Sequence, residues 1–331
     1  MSVKHNLLSA LERHRGEEIS GQELADLLHV SRAAVWKAAK ALEAEGYGID
    51  ALPGRGYRLR PDSDQLSAEG IRLHLPAEYA DCAVEAVQEI ASTNQTAKRQ
   101  ALEPGPERCL LAANAQTDGR GRLQKRFFSP ADTGLYLSLT LRRTRSYSDM
   151  VPVTMAAAVA AVRVLERRTD RHPAIKWVND LLIDGKKAAG ILTEAIGDLE
   201  SGLVHAVVVG IGLNLRTPEE TFPPTLRDSA TSVWPPPGIT RNQLAGELAG
   251  EFFRLADSLF GPDGDRALAA LSDEYREKSA VLGREVAWEQ KGCRLTGTAV
   301  DIDSTGALLV ESTEGRYTLR AGEISLCPPS A

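Results

Sequence analysis

Cysteine is scarce in this chain. Cys82, Cys109, Cys293 and Cys327 lie far apart with no CxxC pair, and the six histidines show no HExxH spacing. That excludes a disulfide framework and the common zinc sites, and leaves isolated, buried or half-buried thiols. No apolar run is long enough to cross a bilayer, so no membrane role is expected. The first residues, MSVKHNLLSALERHRGEE, are charged every few positions and lack an apolar core followed by a small-residue cleavage site. No secretory signal is legible there, and the expected location is the cytoplasm. A GxxxxGK run followed by Ser or Thr occurs nowhere, which excludes a Walker A phosphate loop.

What is present is ordinary globular composition, 43% hydrophobic and 25% charged, in 331 residues. That length exceeds what one hydrophobic core usually serves, so two or three domains are expected. A net charge of -6 speaks against nucleic-acid binding by the bulk of the protein, because phosphate affinity comes from clustered Lys and Arg. Residues 31–60 are the exception, with six basic side chains (Arg32, Lys37, Lys40, Arg55, Arg58, Arg60) against three acidic ones (Glu43, Glu45, Asp50).

The N-terminal pattern explains where that charge sits. Leu7, Leu8 and Leu11 recur at helical spacing between Lys4 and Arg15, and a turn at Gly16 follows. Ser20 then caps a short helix carrying Leu24, Leu27 and Leu28, a break falls near His29-Val30, and Ser31 caps another helix. This is helix-turn-helix spacing. In such a unit the second helix enters the major groove, so Ser31, Arg32, Ala33 and Lys37 are the expected base-contacting residues. Tyr47-Gly48-Ile49 and Gly56-Tyr57-Arg58-Leu59 read as two strands joined by the turn Leu52-Pro53-Gly54-Arg55, a wing bearing the Arg55 charge. Helix-turn-helix units also serve as protein-interaction modules; the local basicity favours DNA. A polar linker, Pro61-Asp62-Ser63-Asp64-Gln65, marks the boundary.

Beyond the linker, apolar strand-like runs alternate with helical stretches in mixed order, which predicts an α+β or α/β sheet domain. Four segments carry chemistry. Ser92-Thr93-Asn94 can cap the helix beside it. Gln116-Thr117-Asp118-Gly119-Arg120-Gly121-Arg122, continued by Lys125, Arg126 and Phe127, follows a strand and places several cations on a glycine-bearing loop. Such a loop suits an anion, although an exposed cationic turn would look the same. Lys176-Trp177-Val178-Asn179-Asp180 ends a strand with a cation, an aromatic, an amide and a carboxylate, and Lys186-Lys187-Ala188-Ala189-Gly190-Ile191-Leu192-Thr193-Glu194 opens a strand with lysine and small residues.

Together and in this order, the last three of these segments, with Val209-Gly210-Ile211-Gly212-Leu213-Asn214 after them, resemble the catalytic domain of biotin–protein ligases. The preceding winged helix resembles the bifunctional, repressor-type members. The resemblance implies an ATP-dependent, AMP-forming ligase that makes biotinyl-AMP, passes biotin to a lysine of the biotin carboxyl carrier protein of acetyl-CoA carboxylase, and binds operator DNA as a homodimer. It maps the biotin site to Ser92, Thr93, Asn94, Gln116, Gly119, Arg120, Gly121, Arg122, Lys187, Gly190, Leu192 and Gly210. ATP is mapped to Phe127, Lys176, Asn179 and Asn214, and catalysis to Arg120, Arg122, Lys187 and Asp180, with Mg²⁺ arriving on the phosphates or touching Asp180. Three departures stand out: Gln124 replaces the family's usual second loop glycine, Phe127 its tryptophan, and Val178 a usual proline.

After helical stretches at Leu244–Leu259 and Leu268–Tyr275, short alternating runs split by Gly292, Gly306, Gly315 and Gly322 predict a small β-barrel, similar to the family's SH3-like terminal domain. The expected units are a winged helix at 1–62, a ligase domain at 66–279 and a barrel at 280–331. Lipoate or octanoate transfer, on the same catalytic fold, is the competing enzyme reading. A winged helix kept only for architecture is the competing regulatory one.

Overall fold

The structure is a computed structural model and describes residues 2–146, 150–198, 202–290, 292–320 and 322–327. Helices α1 (Val3–Arg13), α2 (Gly21–Leu28) and α3 (Arg32–Ala44) open the chain. Ser20 and Glu23 form a reciprocal capping box on α2, and the Ser31 hydroxyl caps α3, satisfying N–H groups that a helix start leaves unpaired. His29, in the left-handed region at φ 52, makes the break between α2 and α3. Leu7, Leu8 and Leu11 of α1 meet Leu24, Val35, Ala39 and Leu42 in a small separate core.

The wing is the antiparallel hairpin β1 (Ile49–Leu52) and β2 (Gly56–Leu59), with Ile49 opposite Leu59. Its first strand begins two residues later than the sequence pattern suggested. Gly48 gives its N–H to Ser63 Oγ at 3.0 Å instead of to the hairpin, and Leu52 pairs with Gly56 within the ladder.

The linker is no loose tether. Arg15 donates to the Arg60 and Ser63 carbonyls, Asp64 accepts from the Arg241 backbone N–H at 2.6 Å and from Arg216 at 3.3 Å, and Asn242 donates to the Gln65 carbonyl. Local composition shows polar residues. It does not show their distant partners.

The central sheet follows α4 (Ala68–His74). Its strands are β3 (Ala83–Ile90), β4 (Arg108–Gln116), β5 (Gly134–Leu141), β6 (Arg145–Ser146), β7 (Ala174–Lys176), β8 (Asp180–Ile183), β9 (Lys186–Asp198) and β10 (Leu203–Asn214). The order is β3-β4-β5-β10-β9-β8-β7, with β6 beside β10. Only β3–β4 is parallel among the described pairs. Helices α5 (Thr93–Leu102), α6 (Met150–Arg168), α7 (Arg241–Leu259) and α8 (Gly264–Glu277) pack around it. Leu135, Leu137 and Leu139 of β5 and Val207, Val209, Ile211 and Leu213 of β10 enter the main core, which α6 fills with small residues from Ala156 to Ala161.

The last strands, β11 (Glu285–Gln290), β12 (Cys293–Ile302), β13 (Leu308–Ser312), β14 (Gly315–Leu319) and β15 (Ile324–Leu326), form an antiparallel sheet ordered β14-β13-β12-β11-β15. Its apolar face is continuous with the main core: Val286, Trp288, Ile302 and Ile324 belong to the same cluster as the central strands. Trp177 Nε1 donates to the Gly306 carbonyl at 2.9 Å, and Tyr275 donates to the Val178 carbonyl at 2.9 Å. Among the described residues no helix is long and apolar enough to cross a membrane.

Two carboxylates sit at the winged-helix junction. Burial raises the Glu12 carboxyl above its ordinary range against the opposing pull of Arg15, and burial raises Asp64 despite Arg241. A raised folded pKa contributes stability that is complete below the unfolded value and is lost as pH rises through the folded one. Glu12→Gln, which cannot ionise, should therefore gain on the wild type in melting temperature between about pH 4 and pH 7. Paired thermal melts across that range check it; a flat difference would show that Glu12 ionises as freely as in the unfolded chain.

Candidate functional site

Strand alternation builds the floor of the site. With β5, β9 and β10 adjacent, residues whose neighbours enter the core must face the other way. Those residues are Tyr136 and Ser138 on β5, Gly190, Leu192 and Glu194 on β9, and Gly210, Gly212 and Asn214 on β10. The three glycines lower the floor. A Cβ at Gly212 would lie 2.5 Å from the Phe127 ring, and one at Gly210 would run into the Asn94 carboxamide. The result is a cavity of about 580 Å³, open at the surface and lined by residues from the central sheet, the cationic loop and the C-terminal sheet.

Part of the lining is a hydrogen-bond network. Ser92 both caps α5 and lines the cavity, so capping does not keep this segment from facing a ligand. Gln116 Oε1 accepts from Thr93 N at 2.9 Å and from Thr93 Oγ1 at 3.2 Å, while its Nε2 donates to Ser129 at 2.9 Å. Asn94 Nδ2 donates to the Leu192 carbonyl and to Glu194 Oε2, each at 3.0 Å, and Asn94 Oδ1 accepts from Ser138 at 2.6 Å. By this inventory Gln116 retains one N–H for a ligand and Asn94 retains one lone pair.

The loop that lines the cavity is cationic. It folds back on itself through Gly121 N to Lys125 O and Phe127 N to Gly119 O, both 2.8 Å. Arg120 is held by Asp118 at 3.0 Å, whose carboxyl lies below its usual range because of Arg120 and, less, Arg126. Arg122 donates to Asn179 Oδ1 at 3.2 Å, and Lys125 meets both Glu323 carboxylate oxygens at 2.6 Å. Lys187 Nζ lies 2.7 Å from Asp180 Oδ1, an ion pair whose angles do not make a hydrogen bond. Lys176 lines the cavity, and its ammonium makes no hydrogen bond or ion pair among the described residues. The exposed pairs bind weakly, by roughly 0–1 kcal/mol each, so an incoming polyanion can replace the protein's own carboxylates.

Most residues expected at the site do converge on this cavity: Ser92, Thr93, Asn94, Gln116, Arg120, Gly121, Arg122, Phe127, Lys176, Asn179, Asp180, Lys187, Gly190, Leu192, Gly210 and Asn214 all line it. Gly119 does not. It is buried beneath the loop, where a Cβ would lie 2.5 Å from the Phe127 carbonyl, and it serves to let the loop turn back. Lys176 to Asp180 also reads differently: the strand stops at Lys176, residues 177–179 form the turn, and Asp180 starts β8. Asn179 is fixed there by donating to the Ile191 carbonyl at 2.8 Å.

In the winged helix, Arg32, Ala33 and Lys37 are exposed on one face of α3, with Ser31 at its start. Arg55 is not a free cation: its guanidinium is paired with Glu18, and Arg58 is paired with Asp50. Trp36, missed by the sequence reading, is 56% exposed in the middle of the same face. Glu194, Ser138 and Glu323 were also missed. Strand alternation from Gly190 through Leu192 points to Glu194, and the lone serine within GLYLSLTL points to Ser138; nothing local points to Glu323, which lies 198 residues from its partner Lys125.

Gly210→Val should overpack the floor against Asn94 and cost roughly 1–3 kcal/mol. Denaturant unfolding with an unchanged slope measures this; an unchanged midpoint would mean that the Asn94 shelf yields freely.

Comparison with known proteins places these features in a lineage. Residues 4–58 match an HTH domain, residues 86–214 the biotin/lipoate A/B protein ligase family, and residues 281–327 the biotin protein ligase C terminal domain. The bifunctional ligase/repressor BirA of Bacillus spizizenii is 33% identical, over 98% of this chain and 99% of that protein. The protein of the same name from Escherichia coli is 30% identical, over 94% of each. The biotin protein ligase of Aquifex aeolicus, solved with biotin and ATP, shares the fold with a TM-score of 0.61 at 24% identity, over 74% of this chain and 98% of that one. With a relative 33% identical along nearly its whole length, and with a helix-turn-helix, a central ligase sheet and a C-terminal sheet in the same order, the chain belongs to the bifunctional biotin–protein ligase and repressor family.

Proposed function

We propose that the protein joins biotin to ATP, retains the biotinyl-AMP, and transfers biotin to a lysine of a biotin carboxyl carrier protein, while its winged helix binds operator DNA. The observation that carries the ligase reading is one cavity whose lining joins a fixed donor–acceptor floor to the cations Arg120, Arg122, Lys176 and Lys187. A ureido ring presents one carbonyl and two N–H groups, which match the free Gln116 N–H and the free Asn94 lone pair. A dithiolane presents neither, which favours biotin over lipoate.

In the first step a biotin carboxylate oxygen attacks the α-phosphorus of ATP, and the bond to the β-phosphate oxygen breaks to release pyrophosphate. Both partners are anionic, so fixed cations must offset the repulsion. Lys187 turns from Asp180 to the phosphate, and Arg120 and Arg122 exchange their protein partners for the same charge. Phe127, stacked beside the glycine floor and 6.4 Å from Tyr136, offers the adenine a ring face. Among the described residues no group of three His, Cys, Asp or Glu side chains can hold a metal ion. Mg²⁺ would therefore arrive on the triphosphate, with Asp180 as its one added carboxylate and charge neutralisation as its contribution. In the second step the carrier amine attacks the biotinyl carbonyl, AMP leaves, and Asp180, released by Lys187, is placed to take the amine proton.

Mass measurement of a carrier domain after incubation with biotin and Mg-ATP tests the reading; a gain with lipoate in place of biotin would reverse it. Arg122→Gly should still release pyrophosphate but let biotinyl-AMP escape and label bystander lysines, because the lost charge-assisted contact is worth roughly 1.5–3 kcal/mol of retention. Lys187→Ala should slow pyrophosphate release itself. An Arg122→Gly variant that labels no bystander would remove the role of Arg122 in retaining biotinyl-AMP.

For the repressor function, Ser31, Arg32, Ala33 and Lys37 approach the bases, Trp36 supplies an apolar surface for thymine methyls, and Arg55 must give up Glu18 to reach phosphate. Two-fold operators require a homodimer, and biotinyl-AMP would favour it by ordering the loop from Gly119 to Arg126. Selected genomic fragments should share an inverted repeat. Trp36→Ala should weaken their binding with little change in salt slope, and uracil in place of the contacted thymine should weaken the wild type alone. Fragments without a shared sequence would leave the winged helix architectural.

A further inference from the structure

Asn94 is held in one orientation by a layer of side chains beneath the cavity, and that layer sets what the site accepts. The residue is 4% exposed, and its carboxamide has both Nδ2 hydrogens committed, to the Leu192 carbonyl and to Glu194 Oε2. Turning it over would set its oxygen against a carbonyl and a carboxylate, two acceptors with nothing to give. Glu194 is itself fixed by Lys98, whose Nζ lies 2.7 Å from Oε1, and Lys98 sits one helical turn beyond Asn94 on α5. On the far side, fully buried Ser138 reaches Oδ1 at 2.6 Å. Gly210 leaves the space into which the carboxamide oxygen projects.

Resting on the biotin reading above, we infer that Glu194 is a positioning residue that locks Asn94 as an obligate acceptor, so that the site selects a ligand presenting an N–H at that point. The specificity follows from what remains on Asn94 once its partners are counted. No hydrogen is left to donate, and one lone pair of Oδ1 is left to accept. A ligand with an N–H there completes the inventory. A ligand without one leaves a buried oxygen unsatisfied, the arrangement by which binding sites reject close analogues most strongly. Glu194 does this without touching the ligand, through an Asn94 amide whose N–H groups would without it have only the Leu192 carbonyl as acceptor.

The test compares biotin with its two derivatives methylated at one ureido nitrogen each, titrated into the wild type, Glu194→Ala, Glu194→Gln and Lys98→Ala. Glu194→Ala should weaken biotin roughly tenfold or more, while the derivative methylated at the nitrogen facing Asn94 binds wild type and variant alike. Glu194→Gln, whose amide oxygen can take the Asn94 hydrogen, should restore most of the affinity, and Lys98→Ala should cost less than Glu194→Ala. Equal weakening of biotin and both derivatives would show Glu194 to be merely structural and would overturn the inference, as would an unchanged affinity for biotin in a folded Glu194→Ala protein. Wild type that binds no biotin would sink the ligase reading as well; biotin binding by wild type without the selective loss sinks this inference alone.

Discussion

One property of extended chain, the two-residue alternation of side chains, organises this molecule. On β5, β9 and β10 the odd-numbered residues Leu137, Ile191, Val209 and Ile211 enter the main core, so the even-numbered Ser138, Gly190, Leu192, Gly210 and Gly212 must form the opposite surface. The same strands thus serve as structural centre and as binding floor. A slip of one residue in register would exchange the two sets, placing glycines in the core and valines in the cavity. The site is rigid because moving its floor means moving the core, and a fixed floor lets a few hydrogen bonds discriminate between ligands.

Over that rigid floor lies a charge system of the opposite character. Arg120, Lys125 and Lys187 each face a protein carboxylate, from Asp118, Glu323 and Asp180 respectively. Fully formed but partly exposed, such pairs stabilise little and exchange readily. They keep the cations near their working positions without holding them there. The loop also carries backbone conformations that disfavour permanence: Leu123 and Gln124 both lie in the left-handed region, at φ 52 and 60, and Leu123 is exposed. Glycine at position 124, usual in the family that the sequence resembles, would adopt this backbone without cost.

What could be read from the sequence, and what could not, divides by distance along the chain. Caps at Ser20, Ser31 and Ser92, the helix-turn-helix spacing and the four ordered motifs depend on residues a few positions apart, and they were legible. The cavity residues were expected from the family resemblance and not from local pattern: Lys176 to Asp180 spans the end of β7, a turn and the start of β8, and Ser92 to Asn94 opens α5. The pairing of Arg55 with Glu18 spans 37 residues, that of Lys125 with Glu323 spans 198, and the Trp177 bond to Gly306 spans 129. No local pattern encodes these partners. Hence Arg55 looked like a free wing cation, and nothing local showed that the C-terminal strands share the main core.

The linker shows the same limit and bears on how the two functions share one chain. Its residues read as a tether, yet Asp64 binds Arg216 and Arg241, and Asn242 reaches both Gln65 and, at 3.4 Å, Glu12 of α1. Arg216 lies two residues beyond Asn214 of the cavity, and α7 begins at Arg241. A flexible tether would let the DNA-reading helix sample many directions relative to the sheet, and a two-fold operator with fixed half-site spacing would then be bound at an entropic cost. Buried polar contacts of this kind are direction-specific, since each is costly to leave unpaired. They define the angle at which α3 is presented.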